Sequence, residues 1–148
     1  MTLDPATGPP GLVPGLAAEV EKVVPHEWTI AQYDARLPAV LSTPAMIGMM
    51  EVAAARAVQP ALPAGSITVG TRIEVDHLKA VPAGTRVRAS ARLAEVNGRF
   101  LVLEVEARSE TDVIGRGRVF RAIVEVGRFS ADAAALGPEP QRRPDQSK

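Results

Sequence analysis

The sequence predicts an α+β chain in which an antiparallel β-sheet wraps around one long central α-helix. Three observations predict it. Residues 41–60, LSTPAMIGMMEVAAARAVQP, form a mostly apolar run with helical entry and exit signals. Most of the other long segments alternate between apolar and polar residues with period two. Those segments follow one another through short turns, so they pair antiparallel and need a cover for their apolar face. The run 41–60 is the single candidate for that cover.

In chain order, residues 1–15 carry four prolines and three glycines and are expected as a disordered leader. Residues 17–24, AAEVEKVV, read as a first strand, ended by Pro25. HEWTIAQYDARLP, 26–38, reads as a flap-like connection with a turn or two of helix. The helix starts at Ser42 or Thr43. Thr43 before Pro44 reads as N-cap and first helical residue, because the hydroxyl accepts a free amide and proline has none to leave unpaired. The apolar residues from Met46 to Ala57 leave almost no polar face, so burial on most sides is expected.

Four strands follow. In 66–78, Ile67, Val69, Thr71, Ile73, Val75 and His77 share one face, and Thr68, Gly70, Arg72, Glu74 and Asp76 the other. Residues 85–96 and 100–108 alternate cleanly around Asn97-Gly98, a strong hairpin signal. The last strand spans 113–126, with Phe129 anchoring its end, and 130–148 read as a flexible tail. One domain over 16–129 results, with the architecture of a hotdog fold. Its open sheet edges make a homodimer the expected remedy.

Composition excludes several functions. Seventeen basic residues balance seventeen acidic ones, without the basic excess that a nucleic-acid binder needs. There is no cysteine, hence no disulfide, Cys-zinc site or thiol nucleophile. The two histidines have no metal-binding spacing, so no metal is expected. Neither a signal peptide nor a membrane span is read, and a cytoplasmic protein is expected.

Glu51 is a carboxylate set among apolar helix residues, suited to act as base or nucleophile on an acyl group; structurally, it would pair with Arg56 or Arg72 on an exposed strip. His77 falls in line with core-facing residues, as a catalytic group or as a rim residue with one hydrogen bond. Thr43 caps the helix and is also placed to bind substrate at its positive end. Gly70, inside a strong strand, signals either a bulge or close approach of a ligand with an amide free for an oxyanion. Arg121 needs an anion, from a glutamate or a ligand.

LSTPAMIGMMEVAAARAV, VGTRIEVDHLKAVPAG and GRGRVFRAIV together resemble the fluoroacetyl-CoA thioesterase-like group of hotdog proteins, over roughly Gly15 to Phe129. The resemblance places the family's catalytic threonine, glutamate and histidine on Thr43, Glu51 and His77, and its active-site glycine and arginine on Gly70 and Arg121. It implies hydrolysis of a small acyl-CoA thioester to the free acid and CoA, with no cofactor beyond the CoA of the substrate. The fluoroacetyl-specific enzyme carries two flap phenylalanines. Asp34 and Leu37 stand at the aligned positions, so Leu37 becomes the substrate-binding candidate and the flap argues for a different acyl group. Hydration or dehydration of an acyl-CoA on the same fold, and non-catalytic acyl-CoA binding, are the alternative readings. Eight residues of helix rise about 12 Å, so an N-cap Thr43 is out of reach of its own Glu51. Either Thr43 lies in a loop that folds back, or two chains share the site at a homodimer interface, which is the favoured resolution.

Overall fold

The computed structural model describes residues 8–137. Strand β1 (Ala17–Val23) leads through two single 3-10 turns, His26–Trp28 and Ile30–Gln32, into helix α1 (Thr43–Val58), extended by a 3-10 turn at Gln59–Ala61. Strands β2 (Ser66–His77), β3 (Arg86–Asn97), β4 (Phe100–Arg108) and β5 (Val113–Glu125) follow, then helix α2 (Val126–Leu136). The strands form one antiparallel sheet in the order β1-β3-β4-β5-β2, with α1 against its inner face: the hotdog arrangement.

Alternation creates that inner face. Val87, Ala89, Ala91 and Leu93 on β3, and Leu101, Leu103, Val105 and Ala107 on β4, are all buried. They meet Met46, Met49, Met50, Ala53, Ala54, Ala57 and Val58 of α1. Each fully buried Leu or Met contributes about 1.5–3 kcal/mol, and truncating Leu103 to alanine would remove about 3 kcal/mol once the cavity is included. Burial of α1 is less complete than its composition predicts. Pro44, Gly48 and Val52 are exposed, and Ile47, Glu51 and Ala55 are only half-buried, because a five-stranded sheet covers one side of the helix.

Two local details differ from the sequence reading, and both bear on the site. The N-cap of α1 is Ser42, not Thr43. Ser42 has extended φ/ψ, its hydroxyl accepts from the Ala45 amide, and its own amide is held by the Trp28 carbonyl. Thr43 is therefore the first helical residue, and its hydroxyl is released from capping. The alternation of β2 is also interrupted. Its register against β5 shifts between Gly70 and Arg72, so Thr71 is an extra residue opposite no partner. Thr68 and Gly70 consequently share the inner face with Val75 and His77, instead of lying with Arg72, Glu74 and Asp76.

At the ends of the chain, Leu12 packs into the core and the Gly15 amide donates to the Leu93 carbonyl, so residues 8–15 of the expected leader lie against the sheet. Residues 1–7 and 138–148 of the expected leader and tail lie outside the described residues. The expected boundary at Phe129 falls inside α2, whose start is capped by the Glu125 carboxylate through the Gly127 and Arg128 amides. Among the described residues, no helix is long and apolar enough to cross a membrane.

Candidate active site

The inner face of β2 faces α1 at two places, and a candidate pair sits at each. At the start of α1, Thr43 Oγ1 and His77 Nδ1 are 2.8 Å apart. His77 closes β2 opposite Gly115, where a side chain would collide with the Met46 thioether. Glycine at 115 thus lets α1 approach the sheet beside the histidine. In either tautomer one ring nitrogen bonds the threonine; the other, Nε2, is buried without a hydrogen-bond partner among the described residues.

Two turns along α1 is the second pair. Arg121 Nη1 donates to Glu51 Oε2 at 2.9 Å, with the arginine side chain 8% and the glutamate 26% exposed. This is the least exposed ion pair among the described residues. Arg72 pairs with Glu74 at the surface and Arg56 is exposed, so neither is the partner of Glu51. Oε2 also occupies the space over Gly70: a Cβ there would run into it. The close approach that glycine permits at this strand position is made by the protein's own carboxylate. Glu51 Oε1, like His77 Nε2, is buried and has no hydrogen-bond partner among the described residues. An unsatisfied buried polar atom costs about 1–3 kcal/mol, so each of the two calls for an acceptor or donor that the neighbouring side chains do not supply.

The structure thus pairs Thr43 with His77 and Glu51 with Arg121 and Gly70, but forms no hydrogen bond between the two pairs. Leu37 belongs to neither pair. It lies 42% exposed on the flap, where its amide bonds the Asp34 carbonyl and Asp34 is bound by Arg36. The Arg36 guanidinium beside Asp34 holds its carboxyl below the usual value of 3.8. The residue that the sequence reading missed is Thr68, which takes two hydrogen bonds from Arg121. Only the need of Arg121 for acceptors pointed toward it.

An apolar groove of about 420 Å³ runs along the open side of α1, lined by Val20, Trp28, Ala45, Gly48, Met49 and Val52 among others. A larger depression, about 590 Å³ on the outer sheet face among Arg92, Glu104, Arg116 and Arg118, holds none of the candidate residues. Among the described residues, no cluster of three or more His, Asp or Glu side chains is arranged to hold a metal ion.

Residues 24–127 match the family model described as FlK, fluoroacetyl-CoA-specific thioesterase. The chain is 38% identical over 117 residues to a fluoroacetyl-CoA thioesterase from Streptantibioticus cattleyicolor, covering 79% of this chain and 84% of that protein. The solved structure of the fluoroacetyl-CoA thioesterase FlK superposes with a TM-score of 0.80 at 34% identity, over 86% of this chain and 98% of that one. A threonine-to-serine variant of FlK in complex with acetyl-CoA gives 0.81 at 33% identity, over 86% and 100%. A thioesterase superfamily member from Thermus thermophilus gives 0.78 at 31% identity, over 84% and 92%. Agreement in sequence, in fold and over nearly the whole length of these relatives leads to one conclusion: the chain belongs to the fluoroacetyl-CoA-specific thioesterase family.

Proposed function

We propose that this protein hydrolyses a short acyl-CoA thioester to the free acid and CoA, with Thr43, His77 and Glu51 as catalytic residues, and without selectivity for fluoroacetyl. The observation that carries this is the pair of buried, unpaired atoms, Glu51 Oε1 and His77 Nε2, one in each half of the constellation. A carboxylate and an imidazole that keep a free atom are equipped for proton transfer or attack at a carbonyl. The relative bound to acetyl-CoA supports CoA as the thiol carrier.

The chemistry follows from these groups. Water activated by Glu51 or His77, or the Glu51 carboxylate itself, adds to the thioester carbonyl. The tetrahedral oxyanion then collapses with loss of the thiolate, which His77 protonates. Where Glu51 adds first, the resulting anhydride is hydrolysed in a second step. Thr43 fixes the ring of His77, and Arg121 fixes Glu51.

The two halves are joined in a homodimer. Thr43 and Glu51 are eight residues apart on one helix, a rise of about 12 Å. Two copies of α1 packed antiparallel about an axis near Ile47 and Gly48 would set Thr43 of each chain opposite Glu51 of its twin. Gly48 suits such a crossing: it is exposed, and a Cβ there would meet nothing within 4 Å. The half-buried strip containing Ile47 and Ala55 would be covered in the same step.

A panel of acyl-CoAs from acetyl to decanoyl, with fluoroacetyl and aromatic members, read by free-thiol release, tests the activity. Turnover of a short member is expected, and its loss in His77→Ala. Binding without thiol release across the whole panel would overturn the reading.

A further inference from the structure

We propose that Thr68 is a positioning residue, which holds the Arg121 guanidinium, and through it the Glu51 carboxylate, in the orientation that catalysis uses. This rests on the thioesterase reading above.

Thr68 is 7% exposed on the inner face of β2, two residues before Gly70. The register pairs Gly70 with Arg121 and Thr68 with Ile123, so the arginine reaches diagonally across the strand pair. Its Nε donates to Thr68 Oγ1 at 2.8 Å and its Nη2 to the Thr68 carbonyl at 2.9 Å. A guanidinium is planar and its donors are fixed relative to one another. Two bonds to one residue along one edge therefore set the plane of the group and the direction of the remaining nitrogen. That nitrogen, Nη1, meets Glu51 Oε2, which the Gly70 backbone confines from the other side. Thr68 and Gly70 together define where Oε2 sits, and so where the free oxygen Oε1 lies.

A simple ion pair would not need this arrangement. The other paired arginines among the described residues, Arg36, Arg72, Arg86, Arg88, Arg92, Arg108 and Arg118, are 51–90% exposed and direct their ion pairs to surface carboxylates, with Arg72 and Arg118 also lying over the Phe120 ring. Arg121 is 8% exposed and gives more donors to the neutral Thr68 than to the anion. Without the hydroxyl, Nε would be a buried donor with no acceptor. The guanidinium would then turn about its remaining bonds and carry Glu51 with it.

The test compares Thr68→Val, which keeps the shape and removes the acceptor, with Thr68→Ser, which keeps the acceptor. Kinetics are measured on the acyl-CoA that the wild type turns over fastest. Exchange of the Arg121 Nε proton with solvent is followed by ¹⁵N NMR. Thr68→Val is expected to lower kcat about 10- to 100-fold with KM little changed, and Thr68→Ser to restore kcat to within about threefold. The Arg121 Nε proton should exchange slowly in the wild type and Thr68→Ser, and quickly in Thr68→Val. An unchanged kcat in folded Thr68→Val would overturn the proposal. So would a wild-type Arg121 Nε proton that exchanges as fast as that of exposed Arg36, a result that does not depend on any variant folding. A wild type that releases no thiol would instead sink the thioesterase reading, and with it the catalytic purpose assigned to Thr68. Slow exchange would then support only the hold of Thr68 on Arg121.

Discussion

Gly70 and His77 lie seven residues apart on β2, yet both face α1. In an unbroken strand an odd separation puts two residues on opposite faces. The extra residue at Thr71 restores the phase, so that one strand presents Gly70 beside Glu51 and His77 beside Thr43. Bulges re-aim side chains in this way near active sites.

The first prediction concerns Gly70. The side chain of Gly70→Ala would enter the space of Glu51 Oε2, the mobile end of a long side chain rather than backbone. The fold should survive, while Glu51 is pushed off the nitrogen that holds it. We expect Tm to fall, though by less than on loss of Arg121, because the displaced carboxylate can turn to solvent and Arg121 keeps its bonds to Thr68, and kcat to fall about 100-fold. Thermal unfolding and thiol release on the same sample check this; a normal kcat would mean that the Glu51 position is unimportant.

Arg121 should behave differently. Arg121→Met leaves Glu51 partly buried without its cation, and removing one partner of such a pair typically costs about 3 kcal/mol or more. That corresponds to a Tm lower by roughly 6–12 °C for a chain of this size. Adding Glu51→Gln should recover part of the loss, since the uncompensated charge is gone. A double-mutant cycle in denaturant measures the coupling; strict additivity would show that the pair is not coupled.

Asp34 and Leu37 stand at the surface of the flap, and Asp34 is committed to Arg36. On the proposed function, such a flap does not serve as an apolar lid over a small fluorinated group. The ratio of kcat/KM for fluoroacetyl-CoA over acetyl-CoA should stay within about tenfold, the range that small differences in apolar contact supply. A steady-state comparison decides it, and a ratio of many orders of magnitude would assign selectivity to some other element.

The same ion pair has a pH signature. The Asp34 carboxyl is lowered in the folded chain, chiefly by the Arg36 side-chain hydrogen bond and then by the Arg36 amide. Its contribution to the flap is therefore complete above the ordinary value of 3.8, and is lost as the pH falls from there through the lowered folded value. Carboxyl ¹³C titration should place Asp34 below 3.8 in the wild type and nearer to it in Arg36→Ala. An Asp34 that titrates identically in both would show that the contact is not formed in solution.

Much of this was legible in the sequence. Strands β3 and β4 alternate cleanly over 87–93 and 101–107, and the helix announces itself by Pro44 and its apolar run. Glu51, His77 and Arg121 stood out because each is a polar residue in an apolar pattern. The N-cap was misjudged because Ser42 and Thr43 are adjacent hydroxyls; only the Trp28 carbonyl, a tertiary contact, fixes Ser42 in the extended geometry. Gly70 signalled a bulge as one of its two readings, but the change of phase did not show, because Val69 and Ile73 are apolar on either side of Thr71 and the pattern continued while the backbone changed phase. Thr68 was thereby assigned to the solvent face. Helix α2 escaped because it buries none of its residues, and burial is what produces a readable period.

The most direct test of the shared site mixes two inactive proteins. Thr43→Ala and Glu51→Gln homodimers are each expected to release no thiol. After subunit exchange at equal concentration, half of the dimers are mixed, and each mixed dimer holds one intact site and one doubly altered site. Activity should return to about a quarter of wild type. No recovery, with mixed dimers verified by mass spectrometry, would contradict a site built from Thr43 and His77 of one chain and Glu51 of the other.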